Sequence, residues 1–328
     1  MKKWFALIGL LALLPAVQSQ PPKRRVEIQT VKIETFTDAT KAGPDFAVQG
    51  EYVGEAPDGT KIGSHVVADG EGKFSGKSYK DGLPGDGWDG TTTWKHSGTT
   101  DNGVARIDSE QAKSIFENGK LKVTLNDGGT FTLTRIIRKS PTEGQKPPAN
   151  AVVLFDGTKA DAWEKGELVE GNLLKMGVTS KQKFGDCTMH VEFRTPFMPL
   201  ARGQARGNSG VYVNGCYEVQ VLDSFGLEPK NNECAGLYQQ ADPTINMCYP
   251  PLSWQTYDID FTAPKYNDGK KTSNARITVK HNGVVVQNNV ELKQETPGGV
   301  QKEAATGPIH LQNHSNPVYY RNIWVVAK

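Results

Sequence analysis

The strongest constraint on this chain is a repeated period-two alternation of apolar and polar residues, interrupted at short intervals by glycine-rich turns. Met189, Val191 and Phe193 alternate with His190, Glu192 and Arg194, so in an extended strand each set takes its own face. The same parity separates Tyr217, Val219 and Val221 from Glu218 and Gln220, and Ile309 and Leu311 from His310 and Gln312. Leu121, Val123 and Leu125 alternate into Asn126-Asp127-Gly128-Gly129 and out again through Phe131 and Leu133, a hairpin pattern. Ile277 and Val279 lead into Asn282-Gly283, which calls for a type I′ turn, and Val284 and Val286 follow. Glycine is frequent (35 of 328 residues) and helical periodicity scarce. The expectation is an all-β chain: a β-sandwich or jelly roll preceded by a small β-rich domain.

The division along the chain follows composition. Residues 1–19 have the Lys2-Lys3, apolar-core and small-residue pattern of a signal peptide. Residues 20–30 are a polar leader, 31–138 the small β-rich domain, 139–150 a proline-containing linker, and 151–328 the larger domain. The expected address is outside the cytoplasm, periplasmic or extracellular. The apolar run is too short and too soon interrupted for a membrane span, and a net charge of +2 gives no footprint for nucleic acid. In the first domain Phe46, Val48 and Tyr52 suggest a strand, and Trp88 reads as a buried plug of the GLPGDGWDG loop.

Cys187, Cys216, Cys234 and Cys248 all lie in the second half. Four cysteines allow three complete pairings. Cys234 with Cys248 would pin one loop, whereas Cys187 and Cys216 could bridge strands or stay as buried thiols. No CxxC pair suggests zinc. No cofactor is predicted, and a divalent metal is left open.

The polar faces of the predicted strands would line a groove if those strands shared one sheet: His190, Glu192 and Arg194, then Glu218 and Gln220, then His310, Gln312 and His314. The alternative is a plain solvated face. Glycosidase chemistry with two carboxyl groups requires them roughly 5–9.5 Å apart. Glu218 and Asp223 stand five residues apart, about 16 Å along a strand and on opposite faces, so they fail as a pair, and Asp223 instead closes a loop or joins a cation site. Tyr238, between Cys234 and Cys248, is a candidate for stacking on a sugar. His65, His96, His190 and His281 have no supporting neighbours and read as surface residues, and the basic MPLARGQARG stretch reads as a surface loop.

The segments LFDG (154–157), KFGDCTMHVEFR (183–194), GNSGVYV (207–213), YEVQVLDS (217–224), WQTYDIDF (254–261) and GPIHLQNHSNPVYYRNIW (307–324) together resemble the 3-keto-disaccharide hydrolase domain family over 151–328. The VQGEY and LPGDGWDG motifs resemble an accessory region joined to that domain in secreted planctomycete-type proteins. The resemblance implies a concanavalin-like jelly roll and a carbohydrate substrate oxidised at C3. It implies Glu218 as general base, His314 as acid or second base, and Arg321 and Gln312 as oxyanion partners. Asn208, Ser209, Gln220, Arg194 and Glu192 would position the sugar. The rival expectation is a carbohydrate-binding, lectin-like protein on the same sandwich, since fold does not fix function.

Overall fold

The structure, a computed structural model, describes residues 34–328. The targeting segment and leader expected at 1–30 lie outside the described residues. The described residues form one compact unit containing a β-barrel and a β-sandwich.

The barrel has eight antiparallel strands: β1 (Gly50–Glu55), β2 (Lys61–Gly70), β3 (Lys73–Lys80), β4 (Thr93–Asp101), β5 (Val104–Ser109), β6 (Ala112–Glu117), β7 (Lys120–Leu125) and β8 (Thr130–Ile136). They pair in chain order, and β8 closes on β1 through Tyr52 opposite Arg135. Closure removes both sheet edges, the weak point of any open sheet. The β7–β8 hairpin has the expected register, with Leu121 opposite Leu133 and Val123 opposite Phe131. One expected strand is a helix instead. Phe46 and Val48 lie on α1 (Gly43–Val48), where Pro44 sits in the first turn, its fixed φ suited to a helix start, and only Tyr52 is in β1.

The sandwich strands are β9 (Val152–Phe155), β10 (Trp163–Glu164), β11 (Leu168–Val169), β12 (Leu173–Lys175), β13 (Val178–Phe184), β14 (Cys187–Arg194), β15 (Ser209–Val213), β16 (Tyr217–Val221), β17 (Gln255–Thr262), a side hairpin of β18 (Lys265–Asn267) and β19 (Lys270–Ser273), β20 (Ala275–His281), β21 (Val284–Leu292), β22 (Gly307–Leu311) and β23 (Tyr319–Ala327). One sheet runs β10-β13-β22-β15-β16. The other runs β11-β12-β23-β14-β17-β20-β21, with β9 beside β23. Val211, Val219 and Ile309 of the first sheet share a buried core with Val191, Ile259 and Val279 of the second. Each such side chain contributes roughly 1.5–3 kcal/mol by leaving water. Asn282 and Gly283 take positive φ (50° and 84°) between His281 and Val284, as the type I′ turn requires.

Several expectations need correcting. His65, His190 and His281 are buried, not on the surface, and His96 points into the barrel. Each occupies a strand face that another layer covers, which alternation alone does not reveal. Residues 139–150 are not a loose linker but a strap across the outer face of the eight-stranded sheet. Gly144 N donates to Glu192, Asn322 to the Gln145 carbonyl, and Thr142 to Asp258. The four cysteines are free and buried. Cys234 Sγ lies 3.1 Å from the Tyr257 hydroxyl and Cys248 Sγ donates to the Leu222 carbonyl, with no bridge between them. Trp88 is half-buried against Tyr79. Among the described residues no helix is long and apolar enough to cross a membrane.

Candidate active site

Strand register builds the candidate site. β16 opposes β15 with Glu218 facing Tyr212 and Gln220 facing Gly210, and β15 opposes β22 with Tyr212 facing His310. β13 continues the row with Thr179 beside His310. Glu218, Tyr212, His310 and Thr179 thus form one line across the outer face of the five-stranded sheet. Two strand spacings separate Glu218 from His310, about 10 Å between backbones.

Gly210 gives the carboxyl group its place, since a Cβ there would lie 2.2 Å from Glu218 Oε1. Burial raises the Glu218 pKa to about 8, only partly offset by the Tyr212 hydroxyl. The Tyr212 hydroxyl donates to the Pro297 carbonyl (2.7 Å) and accepts from Gln312 Nε2 (3.2 Å). Burial pushes its pKa up, so it stays a neutral phenol. His310 Nδ1 lies 2.9 Å from Thr179 Oγ1, and burial lowers its pKa.

Beside this row lies an amide cluster. Gln220 Nε2 donates to Gln204 Oε1 (3.0 Å), and Asn208 Nδ2 to the Gln204 carbonyl (2.7 Å). The amide oxygens Gln220 Oε1 and Asn208 Oδ1 are buried without a protein partner. Buried polar atoms normally find partners, so two orphaned acceptors beside a buried carboxyl suit a ligand rich in hydroxyl donors. Asp223 is spoken for: its carboxylate takes Arg206 Nε at 2.7 Å, closing the 198–207 segment onto the sheet. That segment, expected as a surface loop, buries Met198, Ala201 and Arg206. Among the described residues no cluster of His, Cys, Asp or Glu is arranged to hold a metal.

The expected site residues divide. Glu218, Gln220, Asn208 and Gln312 come together here. Tyr238 is half-buried and near enough to Tyr212 for their phenols to interact electrostatically. His314 is exposed in the loop after β22, which Asn316 ties to Asn208 N (2.7 Å). Ser209 faces the core instead, its hydroxyl donating to the Gln312 carbonyl and lying 2.7 Å from Tyr320 Oη.

Arg321, Glu192 and Arg194 belong to the other sheet, on its outer face, so the sandwich core separates them from Glu218. Their groups serve structure. Arg321 Nε binds Glu192 at 2.6 Å and its Nη2 binds Glu143 of the strap at 2.8 Å. Arg194 pairs with Glu170 and stacks over Trp254. The shared-sheet groove expected from sequence fails because β14 hydrogen-bonds to β17 and β23, not to β16 or β22.

Sequence reading missed Tyr212, Gly210 and Gln204. A signal for the first two was present: Asn214-Gly215, both at positive φ, joins β15 to β16. The connection is the three-residue loop Asn214-Gly215-Cys216, which pairs Val213 with Tyr217 and so places Tyr212 opposite Glu218, whereas a two-residue Asn-Gly turn would have put Val211 there.

Comparisons agree with this second half of the chain. The family model of the 3-keto-alpha-glucoside-1,2-lyase-like domain matches residues 150–326. A solved protein from Parabacteroides distasonis, provisionally named a glycosyl hydrolase, is 34% identical with a TM-score of 0.50, over 55% of this chain and 85% of its own. Another protein from that organism, given the same provisional name, is 14% identical with a TM-score of 0.40, over 58% of this chain and 98% of its own. No curated protein matches significantly. Over 150–326 the chain belongs to the family of 3-keto-alpha-glucoside-1,2-lyase-like domains, carbohydrate-acting enzymes of the lyase or hydrolase kind.

Proposed function

We propose that this protein cleaves glycosides whose sugar carries a ketone at C3, with Glu218 as the base. The observation that carries the reading is a single buried carboxyl group, its pKa raised to about 8, beside the orphaned amide oxygens of Asn208 and Gln220. A C3 ketone acidifies the C2 proton. Glu218 takes that proton, the electron pair passes to the C3 oxygen as an enolate, and its collapse forms a C1–C2 double bond and expels the C1 oxygen. The departing oxygen gains a proton, and addition of water across the double bond completes a net hydrolysis. Such a reaction needs one base rather than two carboxylates, and Asp223 is already held by Arg206. A carboxylate with a raised pKa is the stronger base, which proton abstraction beside a carbonyl favours.

Asn208 and Gln220 accept hydrogen bonds from sugar hydroxyls, and Tyr238 offers an aromatic face. His314, on the rim loop, is the proposed acid for the departing oxygen. The pattern of residues 1–19 supports export to the periplasm or beyond, and the amino terminus of the mature protein from fractionated cells checks it.

The decisive experiment incubates the protein with a 3-keto glucoside and its unoxidised parent and follows aglycone release. The expected result is release from the keto sugar alone, reduced about 10²–10⁴-fold in Glu218→Gln and measurably in His314→Ala. Binding of both sugars without release would replace the enzyme with a lectin. Full activity in Glu218→Gln would remove the base assignment while leaving the substrate class standing.

A further inference from the structure

The barrel encloses a cavity of about 560 Å³, within the range that receives one small organic molecule. A closed eight-stranded barrel has an interior that side chains either fill or leave for one small ligand. Here the filling is one-sided. At the end where β1 begins, Tyr52, Val66, Ala68 and Phe74 pack beneath Val48 of α1 and Phe197. Toward the other end the cavity remains open and reaches the turn residues Asp58 and Gln111.

Two unlike walls face each other across it. Leu121, Val123 and Leu125 of β7 and Phe131 and Leu133 of β8 form an apolar wall. Opposite, β2, β3 and β4 present Ser64, Ser78, Trp94 and His96. The charged lining groups, Asp58 and Lys80, sit at the mouth, by the β1–β2 turn and at the end of β3.

The polar wall has a defined hydrogen-bonding pattern. His96 Nε2 lies 3.0 Å from the His65 carbonyl, which can only accept, so Nε2 carries the proton and Nδ1 is an acceptor. Gly76 makes room for this, since a Cβ there would lie 2.4 Å from Nε2. Burial lowers the His96 pKa to about 4, so the ring is neutral near pH 7. Ser78 Oγ is 3.5 Å from Nδ1, at the limit of a hydrogen bond, and 3.2 Å from Ser64 Oγ. Nδ1 is therefore weakly satisfied and stands beside the Ser78 hydroxyl, which in turn bonds Ser64.

We propose that the barrel binds one small, uncharged, largely apolar molecule bearing a hydroxyl group. That hydroxyl donates to His96 Nδ1 and accepts from Ser78 or Ser64, while the apolar body lies along β7 and β8. A charged ligand would lose its hydration with no counter-charge inside the walls. A sugar, with hydroxyls on every side, would leave some unpaired against the leucine wall. The site is thus chemically distinct from the Glu218 face and independent of what that face does.

Titration calorimetry of the full-length protein with 1-naphthol, and with naphthalene as its hydroxyl-free counterpart, tests this. One molecule of 1-naphthol should bind per chain, about tenfold more tightly than naphthalene. Replacing both serines (Ser64→Ala with Ser78→Ala) should narrow that preference, and replacing His96 as well (His96→Phe) should erase it. Ser114→Phe, which fills the cavity from β6, should abolish binding while circular dichroism shows the fold retained; Ala112→Leu is the milder blocking variant should the first misfold. Absence of 1-naphthol binding by the unmodified protein, or binding that survives a folded blocking variant, would overturn the site. Equal affinity for the two probes would overturn the role given to the serines and His96.

Discussion

Glu218 carries the sharpest consequences at the scale of single residues. A carboxyl group ordinarily titrates near 4.5, and burial moves this one to about 8. Below pH 4.5 it is protonated whether the chain is folded or not, and it adds nothing to the pH dependence. Between 4.5 and 8 the unfolded chain releases the proton and the folded chain holds it, so stability falls as pH rises. At about 1.36 kcal/mol per pH unit between the two values, the loss reaches roughly 3–5 kcal/mol by pH 8. Glu218→Gln should therefore melt higher than the parent protein at pH 8, with little difference at pH 4.5, while losing activity. Thermal melts across pH check the first half, and a kcat/KM profile rising with a midpoint near 8 checks the role as base. A profile falling through the same pH would make Glu218 an acid. Gly210→Ala probes the same group from below. Its Cβ would meet only the movable end of Glu218, so the melting temperature should change little, while the displaced carboxylate loses activity at least tenfold. Loss of folding would sink that reading.

At the scale of strands and connections, alternation gave the faces correctly and the sheets incorrectly. Parity is a local property, legible in Tyr217-Val219-Val221 and in Met189-Val191-Phe193. Sheet membership depends on which strands pair across long stretches of chain, and nothing in YEVQV or in the β14 segment encodes it. For that reason Arg321 and Glu192 looked like neighbours of Glu218, yet they lie under the 139–150 strap. The strap was illegible because its contacts are backbone, hydroxyl and carboxylate groups in a proline-containing segment without apolar period. Glu192 is fully buried there. Burial alone would raise its pKa, but hydrogen bonds from His190, Asn322, Gly144 and Arg321 outweigh that and hold it at about 2. Its contribution is present above the ordinary carboxylate pKa and fades as pH falls toward 2. Glu192→Ala leaves Arg321 and His190 without their shared partner, which should destabilise the protein by about 3–5 kcal/mol with turnover per folded molecule unchanged. Denaturant unfolding beside a rate measurement separates the two, and a large fall in rate with normal stability would return Glu192 and Arg321 to the active site.

At the scale of the molecule, the barrel and the sandwich hold each other through polar groups, among them His65, which sequence reading placed at the surface. His65 leaves the barrel wall to lie 4.6 Å, centroid to centroid, from Phe225 of the sandwich half. Lys77 bonds Glu228 at 2.6 Å, and Phe36 pairs through its backbone with Phe197. Arg138, at the junction, binds Glu51 of β1 and lies over the Tyr249 ring at 4.9 Å. Such contacts join residues far apart in sequence, so a lone histidine or arginine gives no hint of them. Glu51 is the centre of this joint. Burial would raise its pKa, yet His65 and Arg138 outweigh that and hold it at about 2. Glu51→Gln removes the anion and leaves Arg138 largely buried beside a neutral partner, a change worth about 3–5 kcal/mol. If the joint makes one cooperative unit, calorimetry of the parent protein shows a single transition, and in Glu51→Gln that transition moves down without splitting. Fluorescence of Trp94 in the barrel and of Trp163 in the sandwich, each isolated by replacing the other tryptophans with phenylalanine, should then fall at one temperature. A barrel that melts first while the sandwich keeps its midpoint would show two folding units merely in contact, and His65 and Arg138 would then have no share in the stability of the Glu218 face.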